Sequence, residues 1–114
     1  MDFLKAARPD AEGFFEATAA DSVQPNAMIK VKIEGRQVVL TRYEGQLYAF
    51  SAICPHAAAD LSQGTLNRWK VCCPDHGYCF DVRTGRILWP EDEPYGLRRY
   101  PVKEENGLVK VKLT

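Results

Sequence analysis

The sequence is short of almost everything that would mark a large or strongly biased protein. Its 114 residues include two histidines, two methionines and two tryptophans, and fifteen basic residues balance fifteen acidic ones. With no net charge there is no overall field to favour nucleic acid or an anionic membrane, so partner choice falls to local patches. No segment approaches the roughly 20 apolar residues of a membrane span. The start, Met1 to Arg8, has no apolar core of signal-peptide length. Glycine-rich phosphate loops, internal repeats and sustained helical periods are also missing. These absences describe one small domain over residues 1–114, expected in the cytoplasm, monomeric in isolation, with no nucleic-acid or membrane partner. A chain of this length buries about 65% of the surface its unfolded form exposes, enough for a single core.

Cysteine is scarce but placed with purpose. Four cysteines in a short secreted chain would suggest two disulfides, with three possible connectivities. A cytoplasmic chain keeps its thiols reduced, which makes metal binding the better use. Two of the four, and both histidines, fall in two short stretches, Cys54-Pro55-His56 and Cys73-Pro74-Asp75-His76-Gly77. Each stretch offers one thiolate and one imidazole.

The rest of the chain reads as scaffold for those two tips. Residues 1–12 form a loose arm with no assigned role, and Gly13 to Ala19 is a plausible first strand. Ile29, Val31 and Ile33 alternate with Lys30, Lys32 and Glu34, the period of a half-buried strand. Glu34-Gly35 turns the chain into Val38 to Tyr43, whose apolar residues on both faces predict burial on both sides. Glu44-Gly45 turns it again into Leu47 to Phe50, which leads to Cys54. A single strand over Leu66 to Cys72 is expected to lead to Cys73, and Tyr78-Cys79-Phe80 to return from that tip. After turn residues at Asp81 to Arg86 and a proline-bounded loop from Trp89 to Gly96, Leu97 to Glu104 and Leu108 to Lys112 pair through Asn106-Gly107. Short strands joined by turns predict an all-β sandwich or small barrel, with a cluster-binding subdomain at about 52–81 formed by two hairpin-like loops.

Three readings compete for the four donors. A structural zinc site takes two cysteines and two histidines, but usually with the cysteines on one arm and the histidines on the other. Arms that mix them suit a two-iron, two-sulfur cluster in which one iron takes both thiolates and the other both imidazoles. The third reading is four ordinary loop residues without a metal.

The two boxes at this separation resemble those of a Rieske ferredoxin, the small soluble member of the Rieske iron-sulfur family. Leu61-Ser62-Gln63-Gly64, Phe80-Asp81, Thr84-Gly85 and the stretch from Leu97 to Val102 fall where that family places supporting residues, so the likeness covers about 28–112. The resemblance implies a [2Fe-2S] cluster with Cys54 and Cys73 on the buried iron and His56 and His76 on the outer one. It also implies N–H donors toward the bridging sulfides from Gly77 and from residues 57–59 and 78. It implies a one-electron carrier rather than an enzyme, taking electrons from a flavin-dependent reductase and passing them to an oxygenase. A small subunit of a larger reductase, such as assimilatory nitrite reductase, is an alternative. From a different class, a zinc-binding interaction module without redox activity is another.

Departures from the family pattern carry information. High-potential members join their two boxes by a disulfide, and the corresponding positions here are Ala59 and Asp75. Those members also place a serine after the second box's glycine, where this chain has Tyr78. Ala58 stands where glycine is frequent. Cys72 is expected to be a small core residue, and Cys79, though a possible disulfide partner for it, a second free thiol. Trp69 and Phe80 are expected in the core, and the Trp89 to Gly96 loop, with its acidic run Glu91-Asp92-Glu93, is expected to cover the cluster. Arg68, Lys70, Arg83 and Arg86 lie near the second tip in sequence and could help a partner dock, or be scattered surface charge.

Overall fold

The architecture is taken from a computed structural model that describes residues 8–75 and 77–113. Among the described residues, eleven strands form three antiparallel sheets. Strands β1 (Phe14–Ala19), β11 (Leu108–Lys112) and β10 (Val102–Glu105) form one, in the order β1-β11-β10. Strands β2 (Ile29–Ile33), β3 (Arg36–Tyr43), β4 (Gln46–Ser51) and β9 (Arg99–Tyr100) form the second. The third is a meander of β5 (Thr65–Asn67), β6 (Lys70–Cys72), β7 (Cys79–Asp81) and β8 (Ile87–Trp89).

Strand β3 is the spine of the molecule. Val38, Val39, Leu40 and Thr41 are all fully buried, as a strand covered on both faces requires. Alternation then divides them between two cores. Val38 and Leu40 pack with Ala49, Tyr100, Val109 and Val111 under the first sheet. Val39 packs with Phe50, Leu61, Val71, Phe80 and Val82, and this second core contains Cys54 and Cys73. Thr41 resolves its buried hydroxyl by donating to the Ala27 carbonyl at 2.7 Å.

Two expected strands are broken in the structure. Leu66 to Cys72 is a hairpin rather than one strand: Asn67 pairs with Lys70 across a two-residue turn, with Arg68 at φ 59°. Leu97 to Glu104 is split at Pro101, which cannot donate to a ladder, so β9 pairs with β4 while β10 pairs with β11 in a different sheet. The β8 strand was not expected, and it extends the cluster-side sheet by pairing with β7. Trp69 is also half-buried rather than in the core. Its ring lies against Tyr43 with centroids 5.7 Å apart, and the Arg83 guanidinium sits 4.4 Å over it. Of the N-terminal arm, Asp10 is anchored: its carboxylate accepts from the Glu12 and Phe14 amides and faces Lys103 at 3.1 Å. Those bonds, led by the Phe14 amide, hold its pKa at about 2.

Candidate metal centre

The strands carry the two tips into one place. The first tip leaves β4, and its neck is closed by a bridge between Ile53 and Asp60 and by Cys54 N–H donating to the Ala59 carbonyl at 2.8 Å. The second leaves β6 and returns into β7, closed by Cys73 N–H donating to the Tyr78 carbonyl at 2.7 Å. The ligand atoms of Cys54, His56 and Cys73 all lie within 4.8 Å of one another. His76 lies outside the described residues.

Burial sorts these donors. Cys54 is 1% exposed and Cys73 4%, both within the second core, whereas the His56 ring is half-buried. His56 presents Nδ1 to the Cys54 sulfur at 2.8 Å, so Nδ1 is the ring nitrogen on the sulfur side. Burial, followed by the neighbouring Cys54 side chain, pushes the Cys73 thiol up to about 11, the Asp75 amide pulling in the opposite direction. A thiol that reluctant to ionise in an apolar setting is relieved by a metal, which takes the thiolate and displaces the proton. Two buried sulfurs and an imidazole converging from opposed loops fit an iron-sulfur cluster, and the residues present are the right donors for it.

The surroundings of the site were only partly foreseeable. Tyr78 stacks on His56 with ring centroids 3.7 Å apart and planes 6° from parallel. The Trp89 to Gly96 loop closes over this pair: Tyr95 meets both rings edge-on and Trp89 meets Tyr78. The Tyr78 hydroxyl donates to Glu93 at 3.1 Å. Desolvation, then this carboxylate, raises the phenol pKa, so it remains a donor through the neutral range. Aromatic residues bracketing an acidic run gave a signal for this loop, but no pattern named Tyr78 as the residue it rests on.

Behind the first tip, Asp60 accepts from the Ser62 amide and hydroxyl and pairs with Lys30. Burial alone would raise its pKa, but these bonds outweigh it and hold the carboxyl below its usual value. An Asp two residues before a Ser is an Asx-turn signal that marks this clasp in the sequence. The N–H groups expected to face bridging sulfides are fewer than the family pattern implies, because Ala58 N–H donates to the Cys54 carbonyl at 3.0 Å. Ala58 itself takes φ 55°, the conformation that favours glycine at this place.

Cys72 and Cys79 are not free thiols. They are joined as a disulfide between directly opposed residues of β6 and β7, with Cα atoms 4.0 Å apart. Both are half-buried, so Cys72 is also not the core residue expected. The expectation followed from compartment, and the register decides otherwise. The hydrogen bond between Cys73 and Tyr78 puts the next pair outward, Cys72 and Cys79, at a non-hydrogen-bonded position, where opposed side chains approach most closely.

Comparison with known proteins agrees with this geometry. The Rieske [2Fe-2S] domain model matches residues 13–101, beginning nearer the N-terminus than the motifs alone indicated. The ferredoxin component of the naphthalene 1,2-dioxygenase/salicylate 5-hydroxylase systems of a Ralstonia species is 33% identical over 102 residues, covering 90% of this chain and 97% of its own. Among solved structures, the ferredoxin of carbazole 1,9a-dioxygenase from Nocardioides aromaticivorans IC177 superposes with a TM-score of 0.80 at 27% identity, covering 89% of this chain and 98% of that one. The ferredoxin in a complex with the oxygenase of carbazole 1,9a-dioxygenase gives 0.78 at 32% identity, covering 88% and 93%. A fold of three antiparallel sheets with thiolate and imidazole donors at two converging tips defines a small iron-sulfur electron carrier. The chain belongs to the Rieske [2Fe-2S] domain family. Its cofactor is a Rieske-type [2Fe-2S] cluster, and its part is electron transfer rather than catalysis.

Proposed function

We propose that Cys54, His56, Cys73 and His76 hold the cluster, the thiolates on the inner iron and the imidazoles on the outer. On this reading the chain carries single electrons in the cytoplasm from a flavin-dependent reductase to a ring-hydroxylating oxygenase or related terminal enzyme. The observation that carries the ligand reading is the convergence of Cys54, His56 and Cys73 within 4.8 Å, with the sulfurs in the core and the imidazole toward solvent. Bound there, a cluster supplies a reversible one-electron couple. The protein's part is to exclude water from the sulfur side through Val39, Phe50, Leu61 and Phe80, and to keep an imidazole edge near the surface as a short path to a partner.

Support for the route comes from the ferredoxin components to which the chain is similar over nearly its whole length. No helix of the described residues is long and apolar enough to cross a membrane.

Anaerobic purification with iron and sulfide analysis tests the ligand set. The expected product is reddish-brown, with about two irons and two sulfides per chain. His76→Ala is expected to lose that colour, while Cys79→Ala keeps the same spectral shape. A colourless protein with one zinc per chain would defeat the reading. Reduction of the coloured protein by a flavin-dependent reductase and NADH, followed by its reoxidation on adding an oxygenase, tests the route.

A further inference from the structure

The Cys72–Cys79 disulfide sits where the cluster reading gives it leverage. It joins the last residue of β6 to the first of β7, and the residues it brackets, 73–78, include Cys73 and His76. Outside it the two strands are already paired through Val71 with Phe80 and Lys70 with Asp81. Inside it the neck is held by the hydrogen bond between Cys73 and Tyr78. The disulfide is therefore a covalent collar on one ligand loop. Closing so short a loop restricts the unfolded chain less than a long-range disulfide would. Its main effect is local, on how readily the second tip opens. Both cysteines are partly open to solvent, unlike the buried Cys54 and Cys73 beside them. In a reducing compartment a standing disulfide is the exception, and accessible ones there are characteristically redox-responsive.

We propose that Cys72 and Cys79 form a second redox centre, a dithiol–disulfide couple that reacts with a dithiol reductant and governs how firmly the second ligand loop holds the cluster. The proposal rests on the ligand assignment above. In the reaction, a thiolate of the reductant attacks one sulfur of the pair, breaking the Cys72–Cys79 bond and forming a mixed disulfide. The displaced cysteine takes up a proton. The second thiol of the reductant then displaces the other cysteine, which is also protonated. Two electrons and two protons enter the chain, and the reductant leaves as its own disulfide. With the collar open, the Cys73 to Tyr78 hydrogen bond is left to close the neck, and the loop opens more often.

The test compares purified, cluster-loaded wild type before and after anaerobic dithiothreitol with the Cys72→Ala/Cys79→Ala double variant. Alkylation and mass spectrometry are expected to show Cys72 and Cys79 newly labelled after dithiothreitol. Iron release to a chelator, followed by the decay of visible absorbance, is expected to rise about tenfold on reduction. The double variant should release iron at the faster rate with or without dithiothreitol, which separates collar opening from any direct attack of the reagent on iron. If the double variant does not fold, the wild-type comparison is repeated with a phosphine reductant that binds iron poorly, and the same rise is expected. Cys72 and Cys79 already free in air-purified protein, or release rates within about twofold across the states compared, would overturn the proposal. A chain that never gains colour would instead defeat the ligand assignment and remove the collar's role with it.

Discussion

At the scale of single residues, the site is shaped as much by what lies behind the ligands as by the ligands. A Cβ added to Gly64 would stand 1.9 Å from the Cys72 carbonyl oxygen and 3.2 Å from the Pro74 ring. Both neighbours flank Cys73, so Gly64 is the space that lets the second tip lie against the first tip's supporting turn. Gly64→Ala is expected to cost about 2 to 3 kcal/mol in a urea titration and to lower the fraction of chain purified with cluster. An unchanged midpoint would show that β5 can shift without disturbing the tip. The Cys73 thiol gives a second residue-scale expectation. Its raised pKa means that the folded metal-free chain favours the neutral thiol. The associated stability is present below the ordinary thiol value of 9.0 and is lost as pH rises toward about 11. Metal-free wild type should lose stability across that window relative to Cys73→Ser, read as the difference between their urea midpoints. Equal slopes would refute it. Cys54, His56 and Cys73, which the structure brings together, were legible because their types and spacing carry the chemistry. Tyr78 was not, because a stacking partner is chosen by a contact across two loops and leaves no period or motif.

At the scale of elements, the strands that sequence reading located correctly are those whose turns advertise themselves. Glu34-Gly35, Glu44-Gly45 and Asn106-Gly107 all place two successive residues at positive φ, the geometry of a tight hairpin whose twist matches the strands it joins. The hairpin at Arg68-Trp69 was invisible by the same logic. Arg68 takes positive φ with no glycine after it, and the turn is supported instead by Arg83 and Tyr43 packing on Trp69. Such support comes from distant chain and is absent from a local window. Pro101 stands in the sequence inside a stretch that reads as one continuous strand. The structure uses the proline to hand the chain from the β4 edge to the β11 edge. The advertised turns also make the plainest stability expectation. Gly107, at φ 76° with nothing within 4 Å of where a Cβ would stand, should lose about 1 to 2 kcal/mol on substitution by alanine from backbone strain alone, with the visible spectrum unchanged because the turn is in the sheet away from the metal centre. A larger loss, or a spectral change, would mean that the β10–β11 hairpin communicates with the tips.

At the scale of the whole molecule, β3 divides the protein into a scaffold core and a cluster-side core, and the potential of the cluster is set by the second. The disulfide of high-potential relatives has no counterpart between the boxes, since Ala59 and Asp75 occupy its positions. The serine that donates to a sulfide in those relatives is replaced by Tyr78, whose hydroxyl is committed to Glu93. Ala58 N–H is committed to the Cys54 carbonyl. The commitments of Tyr78 and Ala58 each withdraw a donor that would stabilise the added negative charge of reduction, and the carboxylates of Asp75 and Glu93 oppose that charge further. The Cys72–Cys79 bond does not reverse the argument, because it lies within one arm and brings no donor toward the other. A redox titration followed by electron paramagnetic resonance is therefore expected to place the midpoint toward the low end of the Rieske range, around roughly −150 mV. A midpoint above about +100 mV would show that hydrogen bonds from elsewhere in the two loops outweigh those withdrawn.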